Sequence, residues 1–294
     1  MKVLITGSNG LLGQKLVDLC LLKQIDFLAT SSGAKRYSKC PNSAYATLDI
    51  TDEQNIIEVL DAYQPTHLIH TAAMTNVDQC ELHPEACDLV NRQAVLMLAK
   101  YCQQHQIHFQ LLSTDFVFDG LAGPYSEEDQ PNPLSVYARS KVEAEQIVKS
   151  LQGLSYSIVR TIIVYGQGEN LSRSNLILWA KQALEKGTPL QLVDDQFRAP
   201  TWADDLAWAC LRICELAQEG IFHICGPEVL AIDQIVSRVA AFYNLPMHEV
   251  TKLSSESLQQ PAQRPPRTGF VLDKAKTVLG YEPHTLEQTF ALLQ

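Results

Sequence analysis

The sequence predicts an α/β chain built on a doubly wound parallel sheet. Short β-rich runs alternate with segments of helical periodicity through the first half, the pattern of a parallel sheet covered by helices on both faces. A glycine-rich turn joins the first strand to the first helix, where doubly wound sheets with right-handed crossovers bind nucleotides. After about residue 165 the alternation gives way to turns and shorter elements.

Lys2 to Thr6 (KVLIT) is an apolar strand, and Leu11 to Leu22 carries apolar residues at 11, 12, 16, 19 and 22, a helical stripe. Asp26 to Thr30 and Ala44 to Leu48 read as the second and third strands, with a helix over 53–63. His67 to His70 is the fourth strand, Pro84 to His105 one long helix, and 108–113 the fifth strand. Residues 135–151 are helical and 155–160 return to strand. Beyond them, Gly187-Thr188-Pro189 and Gly226-Pro227 mark turns, and 203–217 and 231–243 are amphipathic helices. The proline-rich stretch 259–269 excludes regular helix or central strand. The chain therefore divides into a dinucleotide-binding portion, 1–160, and a substrate-binding portion, 161–294, some segments of which rejoin the main sheet.

The 294 residues suffice for two domains at about 150 residues each. With 23 Lys and Arg against 33 Asp and Glu, the net charge is −10, which argues against a nucleic-acid partner. A small anionic ligand stays compatible, because a few local cations make a pocket positive. No stretch of about 18 apolar residues marks a membrane span, and the N-terminus lacks a signal-peptide layout. Eight cysteines without a C-x-x-C pair read as buried free thiols in a reducing cytoplasm. Cys210 and Cys214, four apart on a helix, lack further metal ligands, and no metal site is expected.

Thr6-Gly7-Ser8-Asn9-Gly10-Leu11-Leu12-Gly13 follows the first strand and opens the first helix. Gly7 permits a sharp turn, Gly10 close approach of a pyrophosphate, and Gly13 tight packing of helix on sheet. The helix N-terminus offers free N–H groups and a partial positive charge to phosphates. An NAD site places a carboxylate at the end of the second strand. Here that end reads Leu28-Ala29-Thr30-Ser31-Ser32-Gly33, with Lys35 and Arg36 following. Hydroxyls such as that of Ser31 and the two cations suit a 2′-phosphate, so NADP(H) is favoured over NAD(H). Thr114, at the end of the fifth strand, and Tyr137 and Lys141, four apart on one helix face, form the candidate catalytic group. An ammonium beside the phenol favours its ionised form. Thr114 and Tyr137 would together polarise a carbonyl.

The G-x-x-G-x-x-G spacing preceded by Thr6 resembles the extended branch of the short-chain dehydrogenase/reductase superfamily. That resemblance implies that Asp49 and Ile50 flank the adenine. It assigns Ala72, Ala73, Met74 and Thr75 to the ribose and pyrophosphate. The run Ser113-Thr114-Asp115-Phe116-Val117-Phe118-Asp119-Gly120 resembles the S-T-D-x-V-F-D-G signature of dTDP-4-dehydrorhamnose reductases. In the same order, Ala72 to Asp78 resembles A-A-x-T-x-V-D, Asn91 begins an N-x-x-x-V-like segment placed at the cofactor, and Asp195 to Thr201 resembles D-Q-x-G-A-P-T. Arg264-Pro265 resembles an R-P pair in a C-terminal substrate loop. The family implies NAD(P)H-dependent reduction of the C4 ketone of a nucleotide-linked 6-deoxyhexulose, with Thr114, Asp115, Ile163, Arg198 and Arg264 on the substrate side. Two positions depart from it: Ile163 stands where the family has Trp, and Arg198 where it usually has Gly. The expected partner is a nucleotide sugar, and a homodimer is compatible with the sequence.

Two other functions share these features. A sugar-nucleotide dehydratase or epimerase shares this fold, but dehydratases follow the catalytic Thr with Asp-Glu, whereas Phe116 follows Asp115 here. A regulatory subunit of methionine adenosyltransferase uses a similar scaffold without reductase chemistry. The intact Thr114, Tyr137 and Lys141 favour an enzyme. His67, His70, Trp202 and Trp208 read as packing residues, and Glu127 to Asp129 as a solvated acidic run. Arg173, Arg264 and Arg267 are candidates for a substrate diphosphate.

Overall fold

The computed structural model describes residues 1–293. In chain order the elements are β1 (Lys2–Thr6), α1 (Leu11–Lys23), β2 (Asp26–Ser31), β3 (Tyr45–Thr47), α2 (Glu53–Tyr63), β4 (His67–His70), α3 (Val77–Leu82), α4 (Pro84–Asp88), α5 (Ala94–Gln104), β5 (His108–Thr114), α6 (Val136–Ser150) and β6 (Tyr156–Thr161). There follow β7 (Val164–Tyr165), α7 (Leu176–Glu185), β8 (Leu190–Val193), β9 (Phe197–Arg198), β10 (Thr201–Trp202), α8 (Ala203–Glu215), β11 (Gly220–Ile224), β12 (Leu230–Ala231), α9 (Ile232–Tyr243), β13 (Val250–Leu253) and α10 (Leu286–Phe290).

The central sheet has the order β11-β6-β5-β4-β1-β2-β3, and every neighbouring pair is parallel. Alternation along β1 shows why it is buried on both sides. Val3 and Ile5 pack with Leu16, Val17 and Leu206, while Leu4 faces Ile56, Leu98 and Val148. Truncating a buried aliphatic such as Leu4 to Ala would cost about 2–5 kcal/mol. The seventh strand, β11, comes from the C-terminal half and pairs with β6, Ile221 opposite Ile158. Helix α8 packs on α1, so this half also covers one face of the sheet. Three two-stranded pairs, β10-β7, β12-β9 and β13-β8, lie outside the main sheet.

Helix ends follow local chemistry. Asp52 caps α2 by accepting from Asn55 N, and Ser135 caps α6 by accepting from Ala138 N. The expected single helix over 84–105 is interrupted. Residues Leu89–Gln93 form a wide π-turn between α4 and α5. This turn directs Asn91 inward, where its amide accepts from Met74 N at 2.8 Å and donates to Met74 O at 3.0 Å. Helices α3, α7 and α10 were not expected from the sequence. α7 had a local signal in the Asn175 cap, which accepts from Leu178 N at 3.1 Å. All eight cysteines are buried free thiols. Among the described residues no helix is long and apolar enough to cross a membrane, and no cluster of three or more His, Cys, Asp or Glu is placed to hold a metal.

Candidate active site

A cavity of about 1060 Å³ runs along the carboxyl ends of the central strands, the position where open α/β sheets bind ligands. One end is the glycine turn. Gly7 has φ +69°, and a Cβ on it would lie 2.7 Å from Ala72 N. A Cβ on Gly13 would lie 2.5 Å from Ser8 Cα, so only glycine lets α1 approach β1 this closely. Gly10 begins α1 with no side-chain cap, leaving the first N–H groups to a ligand. With Leu11 and Leu12 beside them, these residues line the cavity. The cradle fits a dinucleotide pyrophosphate.

Asn9 organises the next wall. Its N–H donates to Ser31 Oγ at 3.1 Å, its amide donates to Ala34 O at 3.0 Å, and its Oδ1 accepts from Arg36 N at 2.9 Å. The loop after β2 is thereby folded so that Ser31, Ser32 and Arg36 line the cavity. Lys35 corrects the sequence reading. Its ammonium turns away to donate to Cys40 O, and it does not line the cavity. Asp49 and Ile50 do. Thr51 donates to Asp49 Oδ1 from both N and Oγ1, which holds that carboxyl below its usual range.

Ala72, Ala73 and Thr75 form the wall after β4. Met74 and Asn91 do not reach it. The Met74 side chain packs against Cys80, Cys87 and Tyr137, and Asn91 is spent clasping the Met74 backbone. Both act one layer behind the surface assigned to them. Hydrogen-bonded to Thr6 Oγ1 at 2.8 Å, His70 is fully enclosed, and burial, with Lys141 nearby, pushes it down to about 3. It is a neutral packing residue at ordinary pH.

At the other end, Ser113, Thr114, Asp115, Tyr137, Lys141, Ile163 and Arg173 line the cavity together. Helix α6 carries Tyr137 and Lys141 on the face against β5. Lys141 is 3% exposed, and its Nζ donates to Leu112 O at 2.6 Å. Burial lowers it to about 8, against the pull of Glu145 and Cys87. Burial pushes the Tyr137 phenol above its ordinary value, while the Thr114 hydroxyl and Arg173 act in the opposite direction. Burial outweighs the lowering of Tyr137 expected from a neighbouring ammonium, and the Lys141 ammonium is bonded to the strand. Burial thus favours the neutral phenol at Tyr137. Ile163 holds a left-handed backbone with φ +32°, strained for a β-branched residue.

Two substrate-side assignments are corrected. Arg198 is 2% exposed and lies behind the cavity wall, donating to Phe197 O, Pro266 O and Pro265 O. Arg264 is paired with Asp78, its Nη2 2.7 Å from Oδ2. Neither lines the cavity. Arg173 does, donating to Thr75 Oγ1 at 2.6 Å. The sequence reading omitted the rest of its segment, Leu171 to Leu176, which also lines the cavity. Nothing in the local sequence placed that loop across the cleft.

Glycine cradle, strand-end Thr and Tyr-Lys helix in one cleft define a nicotinamide-dependent oxidoreductase of the extended short-chain dehydrogenase/reductase class. The family model described as "RmlD substrate binding domain" matches residues 1–293. A probable low-salt glycan biosynthesis reductase, Agl14, of Haloferax volcanii is 30% identical, covering 100% of this chain and 97% of that one. Methionine adenosyltransferase 2 subunit beta of Danio rerio is 30% identical over 90% of this chain and 80% of its own length. The crystal structure of dTDP-4-dehydrorhamnose reductase from Bacillus anthracis, in complex with NADP, superposes with a TM-score of 0.82 at 25% identity, covering 99% of this chain and 100% of that one. The chain belongs to the dTDP-4-dehydrorhamnose reductase family.

Proposed function

We propose that the protein reduces the C4 ketone of a nucleotide-linked 6-deoxy-4-keto-hexose, forming dTDP-L-rhamnose where the substrate is dTDP-4-dehydrorhamnose. The observation that carries this reading is the convergence of Thr114, Tyr137 and Lys141 at one end of a cleft whose other end is the glycine cradle.

Gly7, Gly10 and the start of α1 would hold the dinucleotide phosphates, and Asp49 and Ile50 would flank the adenine. Arg36, beside Ser31 and with no carboxylate at the end of β2, favours NADPH over NADH. When bound, the nicotinamide supplies hydride to the ketone carbon. Tyr137, held as a phenol, donates its proton to the ketone oxygen. Lys141, fastened to Leu112 O, holds the floor of the site and would bind the ribose hydroxyls of the nicotinamide half. Ile163 presents an apolar wall beside the sugar.

The test is NADPH oxidation with a panel of nucleotide-linked 4-keto-sugars. Oxidation with 6-deoxy members supports the reading, and no oxidation with any member removes it. A second reading, a non-catalytic regulatory subunit, is favoured by the likeness to methionine adenosyltransferase 2 subunit beta. It expects stable co-purification with a synthetase and no reductase turnover.

A further inference from the structure

Behind the reacting end lies a buried polar cluster. Arg198 anchors its guanidinium on backbone carbonyls, Nη1 to Phe197 O at 2.7 Å and Pro266 O at 3.3 Å, and Nη2 to Pro265 O at 2.6 Å. Its Nε is 3.8 Å from Asp115 Oδ2, and the guanidinium carbon is 5.4 Å from the centre of the Phe116 ring. Asp115 Oδ2 also accepts from Thr268 Oγ1. Asp115 Oδ1 is 3.1 Å from Thr114 Oγ1, and that oxygen accepts from Phe116 N at 3.2 Å. A carboxylate only accepts hydrogen bonds, and a threonine hydroxyl has one proton to give. Across this contact Thr114 is therefore the donor while Asp115 is ionised.

We propose that Arg198 is a positioning residue: its anchored guanidinium holds Asp115 as a carboxylate, which accepts a hydrogen bond from the Thr114 hydroxyl and leaves the Thr114 oxygen as an acceptor at the reacting end. This inference deepens the reading of the site as a keto-sugar reductase and rests on it. Polarising the ketone then falls to Tyr137 alone. Thr114 selects a ketone flanked by a hydroxyl that donates to it, as in a vicinal hydroxy-ketone. The same contacts tie this arrangement to the proline-rich loop, because one guanidinium bonds to Pro265 O and Pro266 O and lies beside Asp115. Burial pushes the Asp115 carboxyl upward, and Arg198 is the largest opposing influence, followed by Thr268 and Thr114. Tyr137 and Cys225 are the other titratable groups that feel Asp115, and Arg264 bears on Arg198.

The test is the titration of Asp115 in full-length protein labelled with ¹³C at aspartate carboxyls, the resonance being assigned by its loss in Asp115→Asn. In the wild type the carboxyl is ionised at pH 7; a neutral carboxyl there overturns the proposal, whether or not any variant folds. In Arg198→Gln the midpoint rises by about one to three pH units, while Arg198→Lys, which keeps the charge, stays close to the wild type. An unmoved midpoint in Arg198→Gln overturns the proposal. With a reducible keto-sugar, the acid limb of kcat moves upward in Arg198→Gln in step with the carboxyl, and a limb that stays put removes the link to Thr114. If the wild type reduces no keto-sugar, the reductase reading fails, while the Asp115 titration still reports on the Arg198 contact by itself.

Discussion

Lys141 Nζ donates to Leu112 O at 2.6 Å, so the ammonium that shares a helix face with Tyr137 is fastened to the end of β5. The helix carrying the proton donor is thus pinned to the strand that ends in Thr114. Distances within the reacting end are set by a backbone contact and do not wait for a ligand.

The buried ammonium gives a pH dependence. Lys141 is lowered to about 8 from an ordinary 10.5, so its charge is present below about pH 8 and lost above. In the free enzyme kcat/KM should fall as pH rises through about 8, and a profile flat to about pH 10 would contradict this. The stability sign is opposite. Between 8 and 10.5 the unfolded chain binds the extra proton, so stability rises with pH across that window, and urea unfolding of Lys141→Met should lack the rise.

Tyr137→Phe removes the proton donor and leaves a ring of similar size in the same packing. The variant should fold and bind NADPH, and kcat should drop about 10²- to 10⁴-fold. Turnover within a few-fold of wild type would show that another group delivers the proton.

Arg36 is the cation that the Asn9 clasp brings to the cavity, whereas Lys35 faces Cys40. Arg36→Ala should weaken NADPH binding by about 1.5–3 kcal/mol, roughly 10- to 150-fold, and leave NADH within about twofold. Equal loss for both cofactors, measured by fluorescence titration, would place Arg36 away from the 2′-phosphate.

A buried ion pair beneath the site joins α6 to β6. Glu145 takes two hydrogen bonds from Arg160, at 2.9 and 2.7 Å, and one from Ser113 at 2.6 Å, with both charged side chains 1% exposed. Glu145→Ala leaves the Arg160 guanidinium buried and uncompensated, at a cost of about 3–5 kcal/mol. Its urea midpoint should fall accordingly, and a change under about 1 kcal/mol would contradict the buried pairing.

Much of the cleft was legible along the chain. Gly7 to Gly13 span the turn after β1 and the start of α1, Tyr137 and Lys141 lie one helical turn apart, and Thr114 ends β5. The helix expected over 84–105 was too simple, because the wide turn at Leu89–Gln93 exists to aim Asn91 at Met74, a partner 17 positions away. Strand β11 joins the sheet through β6, 63 positions earlier at the His223–Arg160 pairing, and no local pattern indicates that partner.

The sequence by itself determined the glycine turn, the strand-helix alternation and the shared helix face of Tyr137 and Lys141, because backbone turns, caps and helix faces depend on residues only a few positions apart. Tertiary structure decided which cations serve the cavity. Arg264 is neutralised by Asp78, 186 positions earlier, Arg198 is enclosed behind Asp115, and Lys35 is bent onto Cys40. Arg36 and Arg173 are the arginines that line the cavity. Long charged side chains settle on whichever acceptor the fold places within reach, and that choice is made only when distant segments meet.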